Sequence, residues 1–318
     1  MTSTRTEALD ISIVVPVYKE ELSINPFLDR LLPVVHQITG KYEVVFVLDP
    51  SSDNSEEVIL ENFKNNRSIK MIKMSRRFGQ PSATVAGLMH STGKRIVVID
   101  VDLQDPPEVI LELNSKMNEG FDVVYATRRT RSGETIIKKI FAKFGYKVIN
   151  ALSEVEIPKN TGDFRIMSRR VVDEICLLNE KHGFLRGLVA YIGFNQTGVL
   201  YDRDSRHLGS GNYNRYLGSL RIGLNGLVGF SAKPLNIMAF IGGVISGFSF
   251  LLGGWYALQK LLGFYLAPGL STTVILITFF AGIQLLSLGL VGEYVSRIYD
   301  EVKRRPMYIV DKKIGFDE

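Results

Sequence analysis

In the first two-thirds of the chain, short apolar runs alternate with stretches whose apolar residues recur at helical spacing. Asp10–Val17 and Tyr42–Leu48 are apolar and rich in β-branched residues, the pattern of strands covered on both faces. Ile69–Met74, Ile96–Ile99 and Phe121–Ala126 read as further strands. Between them, Ser23–Gln37 places Ile24, Phe27, Leu28, Leu31, Leu32 and Val35 on one helical side, Ser55 with Glu56 and Glu57 opens a second helix, and Pro81–Ser91 reads as a third. Alternating strands and helices predict an α/β fold with a doubly wound, mostly parallel sheet. Further on, Asn160–Arg165 is expected to be a loop, Glu180–Gly187 the start of a small helix, Tyr201–Asn214 a mobile polar segment and Met307–Val310 a short strand.

The last third changes character. Pro234–Gln259 and Leu261–Gly292 carry no charged residue, and each exceeds the ~20 apolar residues that cross a bilayer. Two transmembrane helices are expected, about 234–259 and 269–294, joined at Ala267-Pro268-Gly269. Arg221 and Lys233 precede them, and Arg297, Lys303, Arg304 and Arg305 follow, whereas the connection carries only Lys260. That asymmetry puts both flanks, and so the N-terminal domain, on the cytoplasmic side. Thr135–Leu152 combines an apolar stripe (Ile137, Ile140, Phe141, Phe144, Val148) with Lys138, Lys139, Lys143 and Lys147. It reads as a basic helix lying on an anionic membrane, or as an ordinary surface helix with a solvated basic face. The expected layout is a cytoplasmic domain at 1–211, a juxtamembrane amphipathic helix at 212–232, two spans within 233–296 and a cytoplasmic tail at 297–318.

Composition narrows the chemistry. Lys+Arg 38 against Asp+Glu 33 gives net +5, a mild excess that anionic lipid or a phosphorylated substrate accounts for as well as nucleic acid. Cys176 is the single cysteine, which excludes an intrachain disulfide and, with four histidines, disfavours a structural zinc site. The first ten residues lack the apolar core of a secretory signal. The loop after the first strand, Pro16-Val17-Tyr18, carries neither G-x-G-x-x-G nor G-x-x-x-x-G-K-[ST], so a Rossmann dehydrogenase and a P-loop NTPase are both disfavoured.

The densest chemistry lies in Arg95–Glu108, R-I-V-V-I-D-V-D-L-Q-D-P-P-E. In extended geometry side chains repeat every second residue, which would send Asp100, Asp102 and Gln104 to one side. Oxygen ligands at the carboxyl end of a buried strand suit a hard cation such as Mg²⁺. A helix-start loop, where Asp and Pro gather for capping, is the alternative.

Taken together the motifs resemble the family-2 glycosyltransferases of GT-A fold, and more narrowly the polyprenyl-phosphate glycosyltransferases, a group that includes bactoprenol glucosyltransferases and dolichyl-phosphate mannose synthases. Val15-Pro16-Val17-Tyr18-Lys19-Glu20 resembles V-P-x-Y-N-E, with Lys19 for Asn. Asp49-Pro50-Ser51-Ser52-Asp53 resembles D-G-S-x-D, with Pro for Gly, and Ser75-Arg76-Arg77-Phe78-Gly79-Gln80 resembles S-R-N-F-G-K/Q. Asp100–Glu108 matches D-x-D-L-Q-D-P-P-E, Gly162–Arg165 matches G-D-F-R, and Phe184–Gly187 matches F-x-R-G. Arg206–Tyr213 resembles R-x-x-G-x-S-K-Y, but Gly211 and Asn212 replace Ser-Lys, so one cation is missing.

The resemblance implies a GT-A catalytic domain followed by a membrane hairpin. Pro16, Tyr18, Glu20 and Asp49 would hold the uracil and ribose of a nucleotide-sugar donor, with Ser75, Gln80, Asp100, Val101 and Arg206 completing that site. Asp102 and Gln104 would coordinate Mg²⁺ or Mn²⁺. Arg128, Arg165 and Arg203 would bind the acceptor phosphate, and Asp163 would act as base or orienting group beside Asp102. The implied reaction moves a hexose, foremost glucose from UDP-glucose, onto undecaprenyl phosphate, with inversion, at the cytoplasmic face of the membrane. Mannose or another sugar, or a non-catalytic scaffold or flippase subunit, are the alternatives. A processive polysaccharide synthase is disfavoured because its Q-x-x-R-W motif is absent and the only tryptophan is Trp255, inside an expected span. Expected partners are the donor, the lipid acceptor, the bilayer and, from glycine-rich spans and a detached C-terminal strand, further copies of the chain. Nucleic acid is not expected.

Overall fold

Strands β1 (Ile11–Val17) and β2 (Tyr42–Leu48) are buried at almost every position, as unalternating apolar runs require when both faces of a sheet are covered. The computed structural model describes residues 9–129, 158, 161–178, 180, 185–204, 231–263 and 269–316. β1 lies parallel between β2 and β4 (Arg95–Val98), and β2 continues in parallel to β3 (Ile69–Met74). The connections are α1 (Ile24–Ile38), α2 (Ser55–Asn65) and α3 (Gln80–His90). Helix α1 buries Ile24, Phe27, Leu28, Leu31, Val34 and Val35. Helix α2 carries Glu56 and Glu57 in its first turn, where the helix dipole favours negative charge. Helix α3 approaches the sheet so closely that a β-carbon on Gly87 would stand 2.2 Å from Val14 Cγ1.

After α4 (Val109–Asn118) come β5 (Val123–Arg128), β6 (Thr161–Ser168), α5 (Arg169–Leu178), α6 (Leu185–Ile192) and β7 (Gln196–Tyr201). The described residues form one mixed, mostly parallel sheet in the order β7-β5-β6-β4-β1-β2-β3-β8, where β8 is Val310–Ile314. Three sequence expectations change here. Asn160–Arg165 was expected to be a loop, but from Thr161 it is β6, antiparallel to both β4 and β5. Neighbours on both edges supply hydrogen bonds to a segment too polar to announce itself. Tyr201 ends a strand instead of opening a loop; β7 is an edge strand with exposed Leu200 and buried Val199 and Tyr201. The C-terminal strand is Val310–Ile314, not Met307–Val310, and it pairs antiparallel with β3 of its own chain. Asp311, Lys312 and Lys313 are exposed on it, the charge pattern that protects a sheet edge. Tyr308, Val310 and Phe316 pack on Val45, Val47, Ile72 and Met74, so the strand is not detached.

The sheet with its helices forms one unit, to which Pro306–Glu318 belongs, and the two long helices fall in another. Those helices are α7 (Lys233–Leu261) and α8 (Leu270–Val302). Helix α8 runs past the expected end at 294, through Arg297. Both contain segments long and apolar enough to cross a membrane, Lys233–Leu252 and Phe279–Val302. Phe250 and Leu261 are 81% and 85% exposed, a surface that hydrocarbon covers at no cost. The helix expected at 135–152 and the juxtamembrane stripe at 212–230 lie outside the described residues, as do Arg131, Phe184 and Arg206.

Candidate active site

β1, β2, β3 and β4 all end on the same edge, at Val17, Leu48, Met74 and Val98, and the motif residues follow those ends. Asp49, 2% exposed, accepts the backbone N–H of Phe78 at Oδ1 (2.9 Å) and of Gly79 at Oδ2 (2.8 Å). One carboxylate thereby fixes the loop after β3 and the start of α3, where Gly79 has φ +93°. Asp53 performs the same service between β1 and α2, accepting Ser51 Oγ, Ser55 Oγ (2.6 Å) and the N–H of Glu21 (3.2 Å). Glu20 accepts Ser23 Oγ at 2.8 Å, and its own N–H donates to Ser55 Oγ at 3.2 Å. Pro16 and Tyr18 are half-buried beside these loops, and Ser75 is exposed, with its N–H donating to Ile309 O at 2.9 Å.

The acidic turn is not the extended segment that its D-x-D spacing predicted. β4 stops at Val98; Leu103 has φ +59° and a 6% exposed side chain. A left-handed residue breaks the every-second-residue alternation, and Asp102 Oδ1 accepts the N–H of Gln104 at 3.2 Å, closing a tight turn. Val101 sits in the core at 2% exposure. Asp100 accepts Gln80 Nε2 at 2.7 Å, which links the start of α3 to the turn.

β6 supplies the other wall. Val98 pairs with Arg165 in the antiparallel β4–β6 register, and continuing that register brings Asp163 level with Asp100. Burial first, then Asp163, Asp105 and Asp102, push the Asp100 carboxyl up to about 8. Burial opposes the charge of Asp163 too, but Arg186, Arg165 and Arg128 hold its carboxyl below the usual range. Arg186, on α6, donates from Nε to Asp163 Oδ1 at 2.9 Å. Arg165 is turned inward, contrary to the phosphate-binding expectation. It is 3% exposed and donates to the carbonyls of Asp163 (3.2 Å) and Gly162 (2.8 Å), and burial pulls its pKa down to about 10.

Asp105 is the residue that sequence reading quoted without assigning a role. It is 2% exposed and accepts the Tyr201 hydroxyl and Arg203 Nε (3.1 Å), while Arg128 Nη2 stands 3.8 Å away. Arg128 also donates to Tyr201 Oη at 3.3 Å. Asp105 thus gathers β5, β7 and the segment after β7 around the turn, and places two arginines next to the carboxylates. Its signal in sequence was the second acid of D-L-Q-D; Arg186 was visible only as part of F-L-R-G. Tyr201→Phe removes a hydrogen bond to a buried charge and is expected to cost about 1.5–3 kcal/mol. Urea unfolding of the detergent-solubilised protein, followed by circular dichroism, measures it.

Among the described residues, no three His, Cys, Asp or Glu side chains are grouped to hold a metal ion alone. The donor set nevertheless fits a hard divalent cation that shares its ligands with a phosphate group. Asp102 and Gln104 offer oxygen atoms, and the raised Asp100 carboxyl marks a surplus of negative charge of the kind that such a cation relieves.

A model of the family described as glycosyl transferase family 2 matches residues 12–176, just over half of the chain. The uncharacterized glycosyltransferase YkcC of Bacillus subtilis (strain 168) is 44% identical over 309 residues, covering 97% of this chain and 95% of the relative. The SfII prophage-derived bactoprenol glucosyl transferase of Shigella flexneri is 37% identical over 304 residues, 96% and 98% of the two chains. Among solved structures, the mannosyltransferase PcManGT of Pyrobaculum calidifontis, in complex with GDP-Man and Mn²⁺, is similar at a TM-score of 0.49 and 16% identity, over 93% and 88% of the two chains. A mostly parallel mixed sheet flanked by helices, with an acidic turn at its strand ends, is the GT-A-like fold of a glycosyltransferase. This chain belongs to glycosyl transferase family 2.

Proposed function

We propose that this enzyme transfers glucose from UDP-glucose to a membrane-held polyprenyl phosphate, undecaprenyl phosphate in the first instance, and that it inverts the anomeric carbon. The observation that carries the reading is the pairing of the acidic turn with Asp163, Arg128 and Arg203 in a chain that also has two bilayer-length apolar helices. Similarity to a bactoprenol glucosyl transferase over nearly the whole length supports the same acceptor and sugar. The apolar helices hold the enzyme at the bilayer where an isoprenoid chain resides, with the catalytic domain in the cytoplasm and copies of the chain free to associate through the spans.

In this reading Asp49 and Asp53 shape the loops that receive the nucleoside, with Pro16, Tyr18, Glu20 and Ser75 around it. Asp102 and Gln104 would hold Mg²⁺ or Mn²⁺, which when bound supplies positive charge to the departing diphosphate. Arg128 and Arg203 stand ready for the acceptor phosphate. A phosphate monoester oxygen of the acceptor attacks C1 of glucose from the side opposite the leaving group. The C1–O bond to UDP breaks, and UDP departs with that electron pair. The second pKa of a phosphate monoester is ~6, so the nucleophile is already ionised at neutral pH. Asp163 is kept ionised by Arg186 and Arg165 against the opposing effect of burial, and an acceptor that is already ionised has no proton to give it; its part is to orient, together with Arg186.

The test is UDP release by the purified full-length protein with UDP-glucose, Mg²⁺ and undecaprenyl phosphate. Release that requires all three, with glucose recovered on the lipid, is expected. Release with a different nucleotide-sugar alone, or without the lipid, would overturn the assignment.

A further inference from the structure

We infer that Arg30 on α1 is a positioning residue for the transfer step, holding the segment after β7 so that Arg203 faces the acceptor phosphate. The inference deepens the reading above and rests on the acceptor role given there to Arg203. Helix α1 otherwise belongs to the scaffold, packed through Phe27, Leu28 and Leu31. Arg30 reaches out of it to two acids far away in sequence. Its Nε and Nη2 donate to Glu108 Oε1 at 3.0 Å and Oε2 at 2.8 Å, a forked pair at the start of α4. Its Nη1 reaches Asp204 Oδ2 at 3.5 Å. Asp204 in turn donates its N–H to the carbonyl of Gln104 at 2.9 Å, and Arg203, one residue earlier, donates to Asp105. Arg30 thus joins the end of the acidic motif, at Glu108, to the chain after β7, at Asp204.

Polar contacts alone place Arg203. β7 ends at Tyr201, and Asp202, Arg203 and Asp204 include no apolar residue to anchor the chain in the core. One hydrogen bond to Asp105 does not orient a long side chain, so the backbone must be fixed on both sides of it. Before it, the Tyr201 carbonyl accepts the N–H of Arg129 at 2.9 Å; after it, Asp204 is held by Gln104 and Arg30. Without Arg30, Asp204 would be an unneutralised carboxylate beside Glu108 and the acidic turn, repelled by both. The segment would swing away from Gln104 and take Arg203 with it. The same network contributes little to the fold. The Arg30, Glu108 and Asp204 side chains are 34%, 51% and 41% exposed, and ion pairs that meet water stabilise weakly. Its effect is on placement.

Steady-state UDP release by the full-length protein in detergent, with UDP-glucose, Mg²⁺ and undecaprenyl phosphate, tests this, alongside thermal unfolding and calorimetric binding of UDP. Arg30→Ala should lower kcat/KM for the lipid by about ten- to a hundredfold, the scale of a small misplacement. Its affinity for UDP should stay within about twofold, because only the acceptor side is altered. Its Tm should stay within about 4 °C of wild type. Asp204→Ala cuts the same tether from the other side and should lose less, because the repulsion leaves with the carboxylate. In an Arg203→Ala background, Arg30→Ala should cost almost nothing further, since residues that act through one another are not additive. Losses that multiply in the double variant would overturn the inference, as would UDP affinity that falls in step with kcat/KM for the lipid. In either case wild-type turnover, and with it the acceptor reading, stands. A wild-type protein that releases no UDP with the lipid present would overturn the acceptor reading, and the role of Arg30 with it.

Discussion

Asp102→Ala is expected to lower turnover by about a thousandfold or more while the domain stays folded. A cation that neutralises a departing diphosphate contributes several kcal/mol to the transition state, and each 1.36 kcal/mol is a factor of ten in rate. Asp102 is the half-buried acid of the turn with the least structural work. Among the described residues its one hydrogen bond is with the N–H of Gln104, 3.2 Å away. By contrast, Asp105 is enclosed by Tyr201 and Arg203, so its loss would confound chemistry with folding. Asp102→Asn keeps an oxygen for the turn and removes only the charge; it should fall nearly as far as Asp102→Ala. UDP release under saturating UDP-glucose, alongside thermal unfolding of each variant, separates the two effects. Activity within tenfold of the parent in Asp102→Ala would remove this residue from the metal site.

How much of this was legible beforehand depends on the range of the interaction that fixes each part. The buried strands β1 and β2 and helix α1 follow from local apolar patterning, α2 from its Ser55-Glu56-Glu57 start, and these, like α3, stand where the sequence put them. The acidic turn was legible as chemistry but not as geometry. The positive φ of Leu103 arises because its side chain is drawn into the core, and D-x-D spacing does not encode that. β6 was missed because Thr161, Asp163 and Arg165 look like loop residues until strands on both sides are supplied. The C-terminal strand was displaced because the apolar Met307–Val310 run serves partly to pack Tyr308 and Val310 on the sheet, while backbone pairing falls to the charged residues after it. Arg165 read as a free cation by type, yet the antiparallel register buries it. In each case the missing information was a partner distant in sequence.

Glu43 is the extreme case of that dependence, and the largest stability change is expected there. It is an acid near the start of an otherwise apolar strand, 0% exposed, at the sheet end remote from the acidic turn. Oε1 accepts Ser12 Oγ (2.6 Å) from β1 and both the N–H (2.6 Å) and Oγ1 (3.0 Å) of Thr92 ahead of β4. Oε2 faces Lys70 Nζ on β3 at 2.8 Å. One carboxylate therefore ties together four adjacent parallel strands. Removing one partner of a buried pair leaves the other uncompensated, at about 3–5 kcal/mol, so Glu43→Ala and Lys70→Ala should each destabilise by that order. A double replacement by apolar residues should recover much of it, because the desolvation cost disappears with the charges. Burial opposes the ionisation of Glu43, yet hydrogen bonds from Lys70, Ser12 and Thr92 hold its pKa below the ordinary 4.5. A carboxyl lowered by folding stabilises fully above its unfolded pKa and loses that contribution as pH falls through the folded value. Urea midpoints measured from pH 7 down to pH 3 should therefore fall more steeply for the parent than for Glu43→Gln. Parallel curves would mean that the ionised Glu43 contributes nothing to the acid limb.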